Sequence, residues 1–381
     1  FQRQRQPVTS FPGSGTLVGP VVRVVTQGLR HATRHCPQRI RDEIGRARQN
    51  RELVPPSQKI VAHGKAKLHV HSLSANLPGS AKVDPFDTHP DQGPTILSHR
   101  TNIPTVMIGQ SADPDDAFMA WGLASGTVDL KGIHTECIFD DIETLNEWAM
   151  EARLDLTALS AGTYPSVASE YRLLRAGASF GENYGPLVVS REPTEKRGAA
   201  AISGMRVAVP GLLTTAYLLL RTYAGNSFEP VPMRFDTIID AVSKGYVDAG
   251  LVIHEAQLTY RDHGLHAIFE PARAWHKDRG LPVPLGVVAV KRSLGDRLCG
   301  KLAAAFESSI EAARANPEAA LAFATTHGRG LDKDILRTFI DQYVDDITTD
   351  MGSIGIEALT KLYEGAVNKG LLQTMPPLDL L

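Results

Sequence analysis

From about residue 104 the chain alternates short apolar runs with helical stretches, and this alternation constrains the fold more than any other feature. Thr105-Val-Met-Ile-Gly109 reads as a buried strand. Ser111-Ala-Asp-Pro-Asp-Asp116 follows, with Asp113 placed to cap a helix, Pro114 suited to its first position, and Asp115 and Asp116 matched to its positive end. A strand is expected at 134–139, a helix at 143–151, a strand at 154–159, a helix starting near Ser160 and a strand at 187–190. The rhythm then repeats. Met205-Arg-Val-Ala-Val209 is a strand, Pro210-Gly211 a turn, 214–223 a helix, 228–235 extended, 236–244 a helix ended by Gly245, and 247–253 a strand running into His254. After a further strand at 285–290 come only helices. The clearest of these carries Leu298, Leu302, Phe306, Ile310 and Ala313 and stops at Asn316-Pro317; others fit 333–344 and 356–369.

Strands alternating with helices predict an α/β fold of mixed sheets flanked by helices. Two such series and a helical C-terminal tail predict two lobes joined by two crossings, at 190–193 and 282–286. Lobe one is expected over 104–191 and 285–381, and lobe two over 192–284. Ligands in such folds sit beyond the carboxyl ends of strands. That rule singles out three strand-to-helix turns, 111–116, 160–163 and 211–215, and also His254, which ends a fourth strand. Helix starts offer unpaired N–H groups and partial positive charge, able to hold a carboxylate or a sugar hydroxyl. Each residue also has a plainer reading: Thr214 and Ser160 as caps, Asp116 as an ordinary acidic first turn, His254 as a hydrogen-bonded core histidine. A histidine at the mouth of a buried strand is suited to accept a proton near neutral pH.

Residues 1–102 differ in kind. They hold 15 Lys/Arg against 6 Asp/Glu, although the 381-residue chain has a net charge of −2. They are rich in Pro, Gly, Ser and Gln and keep no period. The first residue is Phe1, and Met107 is the first methionine. The expectation for 1–103 is a basic, disordered extension, read as a stretch not native to the protein. A nucleic-acid-binding tail is disfavoured because only Phe1, Phe11 and Phe86 supply aromatic rings. His69-Val-His71 is too sparse for a metal site, and Cys36, Cys137 and Cys299 form neither a disulfide framework nor a ligand cluster. Apolar stretches fall short of a membrane span and no secretory signal is read, so a cytoplasmic protein is expected, with no membrane or nucleic-acid partner. G-x-S-x-G, G-x-x-x-x-G-K-[ST], H-E-x-x-H and dinucleotide glycine motifs are absent, which implies neither a metal nor a nucleotide cofactor. The expected partner is a small polar metabolite.

Six segments together resemble the 1,4-dihydroxy-6-naphthoate synthase family of the futalosine route to menaquinone. They are Glu143-Thr-Leu-Asn-Glu-Trp-Ala149, Leu156-Thr-Ala-Leu-Ser160, Gly185-Pro-Leu-Val-Val189, Val207-Ala-Val-Pro-Gly211 with Thr214-Thr-Ala216, Ala249-Gly-Leu-Val-Ile-His-Glu255 with Leu258-Thr-Tyr260, and Gly280-Leu-Pro-Val-Pro-Leu-Gly286. None is decisive alone; six in order and at the family's spacing are specific over 104–381. The resemblance implies a type II periplasmic-binding-protein-like fold used as an enzyme without a cofactor. It implies a lyase that cleaves cyclic dehypoxanthine futalosine to 1,4-dihydroxy-6-naphthoate and dihydroxyacetone. His254 then matches the proton acceptor. Ala158, Leu159, Ser160, Thr215 and Ala216 match pocket positions, to which Thr214 and Asp116 are added from their turns. This chain departs from the family's frequent Asn and Thr at Asp115 and Ala117, from its Lys at Ala158, and from a tandem Trp at Ala272-Arg-Ala-Trp-His276. These departures bear on how the substrate's polar groups are anchored. Two rivals share the fold: a transporter's solute-binding protein, and the related chorismate dehydratase, against which the stretch from His254 to Tyr260 argues.

Overall fold

A computed structural model of the chain describes residues 105–327 and 332–381. The expectations for 1–103 lie outside these residues.

The first sheet contains β1 (Thr105–Ser111), β2 (His134–Asp140), β3 (Leu156–Ser160), β4 (Tyr171–Leu173), β5 (Ser179–Gly181) and, from far along the chain, β11 (Val283–Lys291). Its order is β2-β1-β3-β11-β4, with β5 also paired to β11. β1 is parallel to β2 and β3, whereas β11 runs antiparallel to β3, β4 and β5. The second sheet contains β6 (Leu187–Ser190), β7 (Arg206–Val209), β8 (Glu229–Pro232), β9 (Ala249–Val252) and β10 (His266–Phe269), in the order β10-β6-β9-β7-β8. Here β7 is parallel to β8 and β9, and β6 is antiparallel to β9 and β10.

The helices are α1 (Pro114–Ala124), α2 (Ile142–Met150), α3 (Tyr164–Val167), α4 (Thr215–Ala224), α5 (Ile238–Ser243), α6 (Ala256–Thr259) and α7 (Pro271–Arg279), followed by a tail of α8 (Asp296–Ala315), α9 (Pro317–Thr325), α10 (Lys333–Tyr343), α11 (Asp346–Thr349) and α12 (Gly352–Asn368). Among the described residues no helix is long and apolar enough to cross a membrane.

Several expectations need correction. The strand at 187–190 pairs with β9 and β10 in the second sheet, so the outward crossing falls between β5 and β6 and not at 190–193. Its apolar run has no periodicity that could tell one sheet from the other. The return is made where Trp275 Nε1 donates to the carbonyls of Leu281 (3.1 Å) and Pro282 (3.2 Å), just before β11. No long helix starts at Ser160; a turn leads to the four residues of α3. The stretch 236–244 divides into a 3-10 turn, Phe235–Thr237, and α5. Strands β4, β5 and β10 and helices α7 and α9 were not foreseen, the strands being only three or four residues long.

Both sheets are covered on both faces, so their central strands read as continuous apolar runs. In β1, Gly109 is closely approached: a Cβ there would lie 2.3 Å from Leu154 Cδ1, so a larger residue would have to displace that side chain. The helical tail is fastened to the first sheet. Ser309 Oγ of α8 donates to Met119 O of α1 (2.7 Å) and accepts from Leu123 N–H (3.1 Å). At the chain end Leu381 N–H donates to Leu173 O (2.9 Å), and Arg172 and Arg292 pair with Asp379, which closes the exposed edge of β4.

Candidate active site

The parallel strands β1 and β3 of one sheet and β7 and β9 of the other point their carboxyl ends at one partly open cavity. Asp116, Ser160, Thr214, Thr215, Ala216 and His254, six of the eight expected residues, all line it; the strand-end rule singled out five of them, and Ala216 came from the family resemblance. Ala158 and Leu159 are the exceptions. Ala158 packs with Leu145 and Leu154, Leu159 belongs to the core around Tyr164 and Tyr171, and both are 2% exposed or less. They lie within a strand covered on both faces, and only Ser160 at its end reaches the opening.

His254 lies two residues beyond the end of β9, and its backbone adopts φ 54°, a left-handed conformation uncommon for a residue with a side chain. That turn swings the imidazole away from the strand line and into the cavity, where its side chain remains 17% exposed. The ring meets Phe235 edge-to-face at 5.0 Å between centroids. Nε2 lies 3.0 Å from Asp113 Oδ2, a close approach without an aligned hydrogen bond. Gln257, one turn on, holds the loop. With its amide oriented to satisfy its neighbours, Nε2 donates to Gly185 O (2.7 Å) and Oε1 accepts from His254 N–H (3.1 Å).

Opposite stand three carboxyls from the start of α1. Burial and the charge of Asp113 push Asp115 up to about 6, against the pull of His254. Asp116 is pushed well above the usual carboxylate range by burial and by its two acidic neighbours. Asp115 Oδ1 has no hydrogen-bond partner, and Ser179 Oγ reaches its other oxygen at 3.5 Å. Among the described residues no group of three or more His, Cys, Asp or Glu side chains is arranged to hold a metal ion.

At the third corner the plainer reading of Thr214 holds. Its hydroxyl caps α4, accepting from Tyr217 N–H (3.2 Å) and donating to Gly211 O (3.0 Å). Thr215 Oγ1 donates to Leu285 O (2.5 Å) and accepts from Gly162 N–H (2.9 Å), which ties the second half to the first. Both hydroxyls are therefore engaged, and what α4 presents to a ligand is its first-turn N–H groups. Ser160 is gripped by Asn146: its N–H donates to Oδ1 (2.8 Å) and its Oγ accepts from Nδ2 (3.0 Å).

Sequence reasoning missed the apolar wall of Ile142, Pro186, Leu285 and Phe339, and Tyr343 from α10, whose hydroxyl burial pushes up. Nothing local marks Ile142, Phe339 or Tyr343, whereas Pro186 and Leu285 fall in segments that carry the family resemblance. It also missed Glu143. Its Oε1 accepts from Leu213 N–H (3.1 Å), and burial of its carboxyl end pushes it up to about 8, although the residue as a whole is only half-buried. Glu143 and Asn146 both fall in a segment that carries the family resemblance, which was the available signal.

A family model described as menaquinone biosynthesis matches residues 106–368, the greater part of the chain. The chain belongs to this family. A 1,4-dihydroxy-6-naphthoate synthase of Thermus thermophilus is 39% identical over 269 residues, covering 71% of this chain and 96% of the relative. The crystal structure of an Archaeoglobus fulgidus protein is 41% identical, covers 70% of this chain and 98% of its own, and superposes with a TM-score of 0.66. The periplasmic aliphatic sulphonate binding protein of Escherichia coli, at 11% identity, covers 72% of this chain and 90% of its own with a TM-score of 0.52. That likeness concerns fold alone, and it makes the two-sheet architecture of this family member a periplasmic-binding-protein fold. In the family's terms, the cavity lies where the two halves of such a fold meet.

Proposed function

We propose that this chain is a carbon–carbon lyase of menaquinone biosynthesis, converting cyclic dehypoxanthine futalosine to 1,4-dihydroxy-6-naphthoate with release of dihydroxyacetone. The observation that carries the reading is His254: a left-handed turn at a strand end holds its imidazole inside the cavity, opposite carboxyls that favour hydroxyl donors. The imidazole takes a proton from the sugar-derived part of the substrate. The electrons released break the adjacent carbon–carbon bond and are taken up by the neighbouring ring as it becomes aromatic. The cleavage partitions the substrate's atoms between two products and is redox-neutral. The apolar wall of Ile142, Leu285 and Phe339 suits the ring, and the first-turn N–H groups of α4 suit its carboxylate. Approach of the two halves excludes water from the reacting atoms. We place the reaction in the cytoplasm, with the free thiols of Cys137 and Cys299 in keeping with a reducing compartment.

The test is naphthoate formation from the cyclic substrate by His254→Asn. Turnover is expected to fall by about 10²- to 10⁴-fold, the usual contribution of a general base. Near-normal turnover in a folded variant removes the histidine from the mechanism. Stabilisation by the substrate in a thermal-shift assay, with no product from the unaltered protein, favours a binding protein instead.

A further inference from the structure

Asp113 sits where a helix N-cap is expected, with extended backbone (φ −81°, ψ 152°), Pro114 following and acidic residues in the first turn. An Asp there normally accepts from the second or third helical N–H, a bond that stabilises a helix by about 1 kcal/mol. Asp113 makes no side-chain cap bond. Its carboxylate turns the other way, toward the second sheet: Oδ2 accepts from the hydroxyl of Ser111 and lies 3.0 Å from Nε2 of His254, on the opposite half of the molecule. The backbone N–H of Asp113 returns to Ser111 Oγ at 3.3 Å, so the carboxylate is braced by its own loop. Asp113 is 1% exposed, which leaves little water to screen its charge from the ring. His254 bends toward this contact through a backbone conformation that costs free energy, and such strain gathers where side-chain placement matters to function. Two local preferences, a helix cap and an ordinary φ, are both given up, and the pair is what they share.

We propose that Asp113 is the positioning residue of His254: it orients the imidazole across the interface between the halves and stabilises the positive charge that forms when the ring accepts the substrate proton. This rests on the reading of His254 as the base. Asp113 touches the ring and not the substrate. Asp115 and Asp116 face the same space from α1, and Tyr343 faces it from α10. Asp113 is the carboxylate in contact with Nε2.

The experiment compares Asp113→Asn, Asp113→Glu and Ser111→Ala with the unaltered protein, with folding checked by thermal melting. In Asp113→Asn, kcat is expected to fall by about 10- to 100-fold, as loss of one short-range charge contact would give, with KM held within about 3-fold. The acid limb of kcat/KM against pH is expected to move to lower pH, because a protonated ring loses its nearest negative charge. Asp113→Glu should recover part of kcat. Ser111→Ala, which frees the carboxylate without removing it, should lower kcat less and in the same direction, and it serves if Asp113→Asn does not fold. A folded Asp113→Asn with kcat within about 3-fold and an unmoved pH limb overturns the proposal, as does a loss confined to KM.

The ring ¹⁵N shifts of His254, assigned by their disappearance in His254→Asn, report the pair without substrate. They should change in Asp113→Asn, and unchanged shifts overturn the pairing. Normal turnover in His254→Asn fails the base reading, whereas inactive His254→Asn beside normal Asp113→Asn fails only the pair.

Discussion

Glu143 shows how one residue can set a pH dependence. Its carboxyl end is enclosed by Gly211, where a Cβ would come within 2.1 Å of Cδ, and by the Leu213 N–H. Bonds from Leu213 and Asn146 favour the ionised form, while burial and the nearby Glu147 and Asp141 oppose it; burial is the largest influence and carries the group from 4.5 to about 8. The sign follows from linkage. Between those values the unfolded chain has lost this proton and the folded chain has kept it. Stability drawn from the protonated carboxyl is therefore complete below about 4.5 and is lost as pH rises toward about 8. Glu143→Gln keeps an acceptor for Leu213 and cannot ionise. Melting temperature measured across that range is expected to decline less with pH in the variant than in the unaltered protein. Parallel declines would show that the carboxyl is ionised at neutral pH.

The start of α4 separates capping from ligand binding within one short stretch. Thr214 was a candidate for both, and its hydroxyl bonds to Tyr217 N–H and Gly211 O place it in the cap. Thr214→Ala should therefore cost about 1 kcal/mol, a fall of roughly 2–4 °C in melting temperature for a protein of this size, with KM changed by less than about 3-fold. A large rise in KM at unchanged melting temperature would assign the hydroxyl to substrate. The start of α1 behaves in the opposite way. Its best capping residue leaves the cap for His254, so two helix starts with similar sequence signals serve different ends.

Across the molecule, the halves are held by a few polar ties around the cavity as well as by two chain crossings. Thr215 Oγ1 joins Leu285 O and Gly162 N–H, Thr163 Oγ1 joins Leu213 O (2.8 Å), and Glu143 joins Leu213 N–H. These bonds fix the distance between the imidazole on one half and the carboxyls on the other. Thr215→Val keeps the volume and leaves a buried N–H and C=O without that partner, at a cost of about 1–3 kcal/mol. Denaturant titration should show this loss, and kcat should fall with it because the reacting groups no longer share one geometry. Full activity in a destabilised Thr215→Val would mean that these ties serve stability alone.

Much was legible in the chain itself because strand and helix signals are local. The apolar run of β1, the Thr214 cap, the Gly245 stop after α5 and the long apolar stripe of α8 each depend on residues within a few positions of one another. The strand-end rule then singled out Ser160, Thr215, Asp116 and His254, which line one cavity, without any coordinates. The assignment of 187–190 to the second sheet was not legible, since an edge-to-edge pairing with β9 and β10 leaves no mark on an apolar run. Nor was the exclusion of Ala158 and Leu159, which hinges on which helices cover β3. Least legible was the turn of Asp113 away from its helix toward a histidine 141 positions along the chain. Local spacing determines what each segment can become; which side chains meet across the cavity depends on two sheets packing together, a long-range free energy to which no short window of sequence has access.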